Sequence, residues 1–302
     1  MIDDVQLDMI ARRVRDGRCV PFLGAAVNID SPARDYRGLP IGRQLVTELR
    51  RALRHEDAWA ADLARAALEY EVRTDREDLL EWLKAKLADR DVEPSPALKM
   101  LAELPLRLII TTNYDGLLER ALEASGRDFT CVIQPYEGFA DTRVTRDRLE
   151  SLEQYEGTIV YKIHGTFDGN ASRPYWLDVT PGVTVTEDDY IEFLAIHDKD
   201  EVRIGVPKSI KSVITPSMLL FLGYALEDWD FRTIYRSVVR QLNAHPVRKS
   251  SAIQKDPPEY WVKYWLKRDV EIVDMDVYDF CERLQHRFRE LSPPQADGGD
   301  GS

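Results

Sequence analysis

Residues 19–28 read CVPFLGAAVN, an apolar run that ends in a glycine and further small residues. A continuous apolar run of this length is typical of a strand buried on both faces of a parallel sheet. Three further apolar runs end in glycine or polar residues: LRLIITTNYD (106–115), TIVYKIHG (158–165) and MLLFLGY (218–224). A shorter run, VEIVDM (270–275), predicts a last strand.

Helical spacing separates these predicted strands, for example at residues 116–124 and 225–242. Strands that alternate with helices predict an α/β fold, a Rossmann-like doubly wound parallel sheet. Residues 45–104 are rich in Leu, Ala, Arg and Glu at helical spacing, which predicts a helical insertion. We therefore expect a single domain over residues 1–291, and a tail, residues 292–302, whose low apolar content predicts disorder.

Two details near the N-terminus carry structural predictions. Residues 4–16 have helical spacing that places Val5, Ile10 and Val14 on the inward face. Pro21 has no amide hydrogen to give to a neighbouring strand, so it predicts an irregular or edge position for the first strand.

The composition limits the classes of protein to which the chain can belong. Of its 302 residues, 44% are hydrophobic and 31% are charged, as in soluble globular proteins. No apolar run approaches the roughly 20 residues of a membrane-spanning helix. The charged N-terminus lacks the apolar core of a secretory signal, so we expect a cytoplasmic protein without membrane association.

The net charge of −12 makes direct binding of nucleic acid an unfavoured prediction, because such binding depends on Lys and Arg displacing counterions. One stretch, residues 232–249, is locally basic. Its first three arginines are four residues apart and therefore share one helix face. Such a face is typical of a solvated helix surface or a subunit contact, with a nucleic-acid groove as the alternative. The basic residues are Arg232, Arg236, Arg240, Arg248 and Lys249.

Cys19, Cys131 and Cys281 lie far apart and form no CxxC pair. Structural zinc sites are built from close pairs of thiolate or imidazole ligands. We therefore expect no structural zinc and no disulfide framework.

The small residues after the first predicted strand could serve a ligand. Gly24, Ala25 and Ala26 let a phosphate approach the backbone closely, and a following helix would offer free N–H groups. The alternative is an ordinary small-residue turn between a strand and a helix.

The TTNYD and KIHG segments carry polar side chains at two more predicted strand ends. Thr112, Asn113 and Asp115 could hydrogen-bond a ribose and orient a water, although Asn and Asp also favour helix N-caps. His164 could act as a general base, because histidine titrates near neutral pH. The alternative is a histidine that is satisfied by a backbone carbonyl.

Taken in order, FLGAAVN, TTNYD, KIHG and FLGYALEDWDF resemble the motif order of sirtuins over about residues 15–290. The resemblance is closest to the sirtuin-like NAD hydrolases of bacterial antiphage defence, and Gly38-Leu39-Pro40 with Leu45 adds to it. It implies a single sirtuin-like domain with Asn113 and His164 as catalytic residues. It also implies a set of NAD-binding residues: Gly24, Ala25, Ala26, Asn28, Thr112, Asp115, Gly223, Tyr224 and Asp228.

Two departures from the sirtuin pattern affect what it implies. The usual GAG-x-S is Gly24-Ala25-Ala26-Val27-Asn28 here, so we expect Ala26 to be tolerated only if its φ is negative. The four-cysteine zinc ribbon that supports the peptide groove of protein-deacylating sirtuins is missing. Its absence favours an NAD hydrolase over a peptide deacylase.

The resemblance implies an NAD+ glycohydrolase that gives nicotinamide and ADP-ribose, with NAD as substrate and no metal, acting by NAD depletion in abortive antiphage defence. Alternatives are a non-catalytic subunit that binds NAD or ADP-ribose, and a nuclease subunit. Control would come from a homo-oligomer or from a HerA-type DNA-translocating ATPase partner. Candidate contact surfaces are the basic stretch 232–249 and an aromatic segment, for which core packing is the alternative. That segment contains Tyr260, Trp261, Tyr264 and Trp265.

Overall fold

The computed structural model describes residues 2–29, 35–53, 62–88, 91–134, 143–167, 182–198, 206–227, 229–235 and 250–291. Within them the strands are β1 (Cys19–Leu23), β2 (Leu108–Thr111), β3 (Phe129–Ile133), β4 (Thr158–Lys162), β5 (Met218–Leu222), β6 (Ser250–Gln254) and β7 (Val270–Asp274). The helices are α1 (Asp4–Arg15), α2 (Gly42–Ala52), α3 (Leu63–Arg73), α4 (Arg76–Lys86), α5 (Pro96–Ala102), α6 (Leu117–Ala124), α7 (Arg143–Ser151), α8 (Glu187–Asp198), α9 (Lys208–Ile214), α10 (Trp229–Ile234), α11 (Glu259–Leu266) and α12 (Val277–Leu291).

The seven strands of this described part form one parallel sheet in the order β3-β4-β2-β1-β5-β6-β7. Strand order reverses between β1 and β5, and ligands of such sheets bind outside the carboxyl ends of the strands at that point. The predicted Rossmann-like, doubly wound α/β fold is therefore confirmed.

Helices cover both faces of the sheet, and each layer has its own apolar core. Helices α1, α5, α6 and α12 pack on one face. Residues of α8, α9, α10 and α11 pack on the other face. A parallel sheet needs both layers, because its strands are apolar on both sides.

The predicted helical segment 45–104 contains most of α2 and all of α3, α4 and α5. Helices α2, α3 and α4 pack together in a separate apolar cluster, which also takes in Val183 and Val185. The tail, residues 292–302, lies outside the described residues. The division into one domain over residues 1–291 stays a prediction.

The inward position predicted for Val5 is wrong, because its side chain is 81% exposed. Ile10 and Val14 are buried as expected, together with Leu7 and Ala11. These four residues follow the spacing i, i+3, i+4, i+7 of a single helix face. Val5 precedes Leu7 by two positions and therefore lies on the opposite side of α1.

The edge position suggested by Pro21 is also wrong, because β1 lies between β2 and β5. The Gly24 amide donates to Leu222 of β5, so the nitrogen of Pro21, three residues earlier, faces β2. The β1–β2 register begins only at Phe22, paired with Ile110. Pro21 lies one residue before this pairing starts, so its lack of an amide hydrogen does not interrupt the pairing of β1 with β2.

In the part of the chain that the structure describes, no helix is both long and apolar enough to cross a lipid bilayer.

Candidate active site at the carboxyl edge of the sheet

The turn after β1 is joined to the end of β5 by backbone hydrogen bonds. The Gly24 amide donates to the Leu222 carbonyl at 2.9 Å, and the Ala26 amide donates to the Gly223 carbonyl at 3.0 Å. These bonds bring together two of the four strand ends that the sequence marks, at the point where strand order reverses.

The close approach of the two backbones at this junction requires glycine at both Gly24 and Gly223. A Cβ on Gly24 would lie 2.6 Å from the Gly223 carbonyl oxygen and 2.8 Å from the Tyr224 ring. Gly223 has a φ of +78°, and a Cβ on it would lie 2.5 Å from the Val27 amide nitrogen. The absence of a side chain at Gly24 thus has a structural reason beside the phosphate-binding role predicted for it.

Gly223→Ala is expected to lower the free energy of unfolding by about 3 kcal/mol, because it combines a left-handed φ with a clash against backbone. Gly126→Ala is the matched control, since Gly126 has a φ of +71° but nothing within 4 Å of an added Cβ. The control isolates the conformational strain, about 1 kcal/mol. Urea unfolding of both variants measures the difference, and equal losses would contradict the proposed clash.

The predicted helix after the first turn is only a four-residue 3-10 helix, Ala25–Asn28. Ala26 is not among the described non-glycine residues with positive φ, so it meets the condition set for it by the sequence. Asn28 is buried, and its Nδ2 donates to Asp115 Oδ1 at 3.5 Å. Among the described residues, its Oδ1 has no hydrogen-bond partner.

The hydroxyls of Thr112 and Tyr224 meet at the end of β1. The Tyr224 hydroxyl donates to the Leu23 carbonyl at 3.1 Å and lies 3.3 Å from Thr112 Oγ1. Thr112 Oγ1 lies 3.4 Å from the same carbonyl. These two predicted NAD-binding residues therefore join the ends of β1, β2 and β5.

The turn that carries Asn113 is held from both sides. The backbone amide of Asn113 donates to Thr111 Oγ1 at 3.1 Å, and its side-chain Nδ2 donates to the Gly24 carbonyl at 3.3 Å. Asp115 Oδ1 accepts from the Leu117 amide at 3.0 Å. The N-cap position of α6 is Gly116, so Asp115 lies one residue before the cap and holds the first helical residue from there.

His164 follows β4 at the same edge. Because Thr111 of β2 pairs with Lys162 of β4, Asn113 and His164 both lie two residues beyond this pair. The imidazole is 2% exposed and packs edge-on against Tyr190 at 5.1 Å and Phe193 at 5.6 Å, measured between ring centroids. Two rings of α8 thus hold the imidazole in one orientation.

The start of α8 is fixed by Asp189. Its Oδ2 accepts from the amides of Val185 and Thr186 at 2.8 and 2.9 Å, which caps the start of the helix. Arg76 of α4 binds the same oxygen at 2.9 Å. Burial disfavours the charged guanidinium, but the carboxylates of Asp189 and Glu71 outweigh this effect, so the pKa of Arg76 is raised.

Lys162 is a feature of this edge that the sequence analysis did not single out. It is 1% exposed, and its ammonium contacts the Asp115 carbonyl and the Glu119 carboxylate. Burial disfavours the charged ammonium, but the negative charges of Glu119 and Asp115 prevail and raise the pKa of Lys162 to about 12. The available signal was a single lysine inside the apolar run TIVYKIHG.

Comparison with known proteins identifies the fold family. A family model described as a SIR2-like domain matches residues 107–273, more than half of the chain. The chain belongs to the SIR2-like family. The matched SIR2-like region contains Thr112, Asn113, Asp115, His164 and the Gly223–Tyr224 pair.

Three curated relatives are similar in sequence to this SIR2-like chain. It is 30% identical over 136 residues to "NAD(+) hydrolase ThsA" of Acinetobacter baumannii (strain 532279), covering 45% of this chain and 23% of the relative. It is 29% identical over 212 residues to "NAD(+) hydrolase ThsA" of Bacillus cereus (strain MSX-D12), covering 67% and 38%. It is 26% identical over 194 residues to "Defense-associated sirtuin 2" of Bacillus subtilis, covering 61% and 16%. The matched parts thus span less than two fifths of each relative's own length.

The remaining predicted residues of the SIR2-like chain are placed as follows. Asp228 and the basic residues from Arg236 to Lys249 lie outside the described residues. In the aromatic segment, Trp265 is buried and its indole donates to the Leu226 carbonyl at 3.0 Å, so core packing holds there. Tyr260, in contrast, is 68% exposed.

The three cysteines are buried and form no disulfide. Burial raises the pKa of Cys19 to about 12, so this thiol stays protonated at neutral pH. A protonated, buried thiol is a poor nucleophile and a poor metal ligand.

Proposed function

We propose that this SIR2-like chain cleaves the nicotinamide–ribose bond of NAD and releases nicotinamide and ADP-ribose. The observation that carries the proposal is the common position of Asn113 and His164, each two residues beyond a paired position on neighbouring strands. The names of the relatives, NAD(+) hydrolase ThsA, support the same substrate.

NAD would lie across the carboxyl ends of the strands, with its pyrophosphate at the Gly24–Asn28 turn. Asn28 Oδ1 supports this arrangement, because a buried acceptor without a partner among the described residues can take a ribose hydroxyl. The adenosine half would extend toward β5, past Gly223 and Tyr224, with Asp228 as a further proposed contact.

The reaction needs no general acid, because nicotinamide leaves from a cationic ring nitrogen. The bond between that nitrogen and the ribose C1′ breaks with its electron pair on nicotinamide, through an oxocarbenium-like state. Asn113 would orient a water toward C1′. His164 would accept the proton of this water as the new C–O bond forms.

Asp115 has two roles in this proposal. Its carboxylate accepts from the Leu117 amide at the start of α6 and from Asn28 Nδ2. From this position its negative charge would also stabilise the cationic sugar. We propose no metal, since every step is supplied by an amide, an imidazole and a carboxylate.

We further propose a role in antiphage defence through NAD depletion, controlled by a homo-oligomer or by a HerA-type ATPase partner. The name "Defense-associated sirtuin 2" of one relative supports the defence context. An NAD hydrolase without control would harm its own cell, which is the reason for expecting assembly or a partner.

Incubation of the protein with NAD, followed by mass spectrometry, tests the proposal directly. Nicotinamide and ADP-ribose are expected in equal amounts. NAD bound without release of nicotinamide would favour the non-catalytic binding subunit instead. Cleavage of nucleic acid with added metal ions, and none of NAD, would favour a nuclease.

A further inference from the structure

Lys162 is a charged side chain enclosed in the sheet. It is the last residue of β4, opposite Thr111 of β2 and Ile133 of β3, and it is 1% exposed. Removing an ammonium from water is costly unless strong partners replace its hydration. A pair of apolar residues would fill the same space without this cost, so the stability of the fold does not account for a lysine here.

The partners of Lys162 belong to the turn and helix that follow β2. Its Nζ donates to the Asp115 carbonyl at 2.5 Å and to Glu119 Oε1 at 2.7 Å. Glu119, on α6, balances the positive charge. The bond to the Asp115 carbonyl fixes the backbone two residues after Asn113.

The same strand also leads to His164, two residues after Lys162. The ammonium therefore connects the backbone that carries the imidazole to the turn that carries the Asn113 amide. Asp115 extends the connection to the first turn, since its carboxylate accepts from Asn28. Lys162 and Asp115 thus link the ends of β1, β2 and β4 through hydrogen bonds.

We propose that Lys162 is a positioning residue, which fixes the Asn113 turn relative to His164 by holding the Asp115 carbonyl. The inference rests on the proposed cleavage of NAD. A turn released from this contact would shift Asn113, and a misplacement of about 1 Å at a reacting centre can lower a rate about 100-fold.

The test removes the ammonium without leaving an unbalanced buried charge. The double variant Lys162→Met with Glu119→Leu replaces the ion pair by apolar side chains of similar length, a change that buried pairs often tolerate. The single variant Lys162→Met is assayed beside it, so the test does not depend on one variant folding. The matched control is Glu119→Gln, which disturbs the same pair but keeps the bond between Lys162 and the Asp115 carbonyl.

Steady-state NAD cleavage and thermal unfolding are measured for every variant, at a temperature where all are folded. We expect kcat of the variants lacking Lys162 to fall about 10- to 100-fold, with KM for NAD within about threefold of the parent. The control is expected to keep kcat within about threefold, even if it unfolds at a lower temperature.

Each other outcome overturns the inference. A folded variant without Lys162 that keeps the parental kcat would show that the ammonium does not position the turn. Equal losses of kcat in the control and in Lys162→Met would assign the effect to general destabilisation. If the parent itself does not release nicotinamide, the proposed function fails and this inference fails with it, a result that is distinct from the first two.

Discussion

Asn113→Ala is expected to lower the rate of nicotinamide release from NAD by about 10²- to 10³-fold, the usual effect of removing one preorganised polar group from a reacting centre. The variant loses one hydrogen bond, from Nδ2 to the Gly24 carbonyl at 3.3 Å. Its unfolding free energy is therefore expected to fall by only about 1 kcal/mol. Initial rates and a urea unfolding curve, measured on the same preparation, separate the two effects.

The control for Asn113 is Gln154→Ala, which removes a side-chain amide from an exposed position. It is expected to leave both the rate and the stability unchanged. Parental turnover in folded Asn113→Ala would remove the amide from the mechanism and leave the proposed site without its water-orienting group.

The second large effect is expected for His164→Ala, with a loss of about 10²- to 10⁴-fold in kcat, the usual contribution of a general base. The variant also opens a cavity beside Tyr190 and Phe193, so some loss of stability is expected. The acid limb of the pH–rate profile distinguishes loss of the general base from loss of packing. Loss of the general base removes that limb, and a packing defect does not.

His286→Ala is the matched control for His164, since His286 lies on α12 with a side chain 76% exposed. It is expected to keep both the rate and the pH profile of the parent. An unchanged acid limb in folded His164→Ala would assign the proton transfer to another group.

Much of the sheet could be predicted because five of its strands are apolar runs that can be recognised in the sequence alone. Apolar runs that end in glycine or polar residues marked β1, β2, β4 and β5, and a last apolar run marked β7. Strands β3 and β6 were missed. The five-residue run of β3 is interrupted by the polar Thr130, and β6 begins with two serines, Ser250 and Ser251; all three residues are buried in the structure but polar in the sequence. Exposure on α1 was misjudged for Val5 because three apolar residues do not fix the orientation of a helix face.

The candidate site could be predicted only as a set of strand ends. Their common edge follows from parallel pairing, which the order of the motifs already indicates. The contacts of the side chains do not follow from it. The aromatic enclosure of His164 depends on α8, which is distant in sequence, and the partners of Lys162 depend on the register between β2 and β4.

The contact between Gly24 and Gly223 has a consequence for how this edge can change. Neither residue can gain even a methyl group without displacing the backbone of the other strand end. Substitution at one cannot be compensated at the other, so the junction of these two strand ends has a single permitted shape. Under the proposed function, variation in the fit to NAD must therefore come from neighbouring positions such as Ala25, which is exposed and has room to vary.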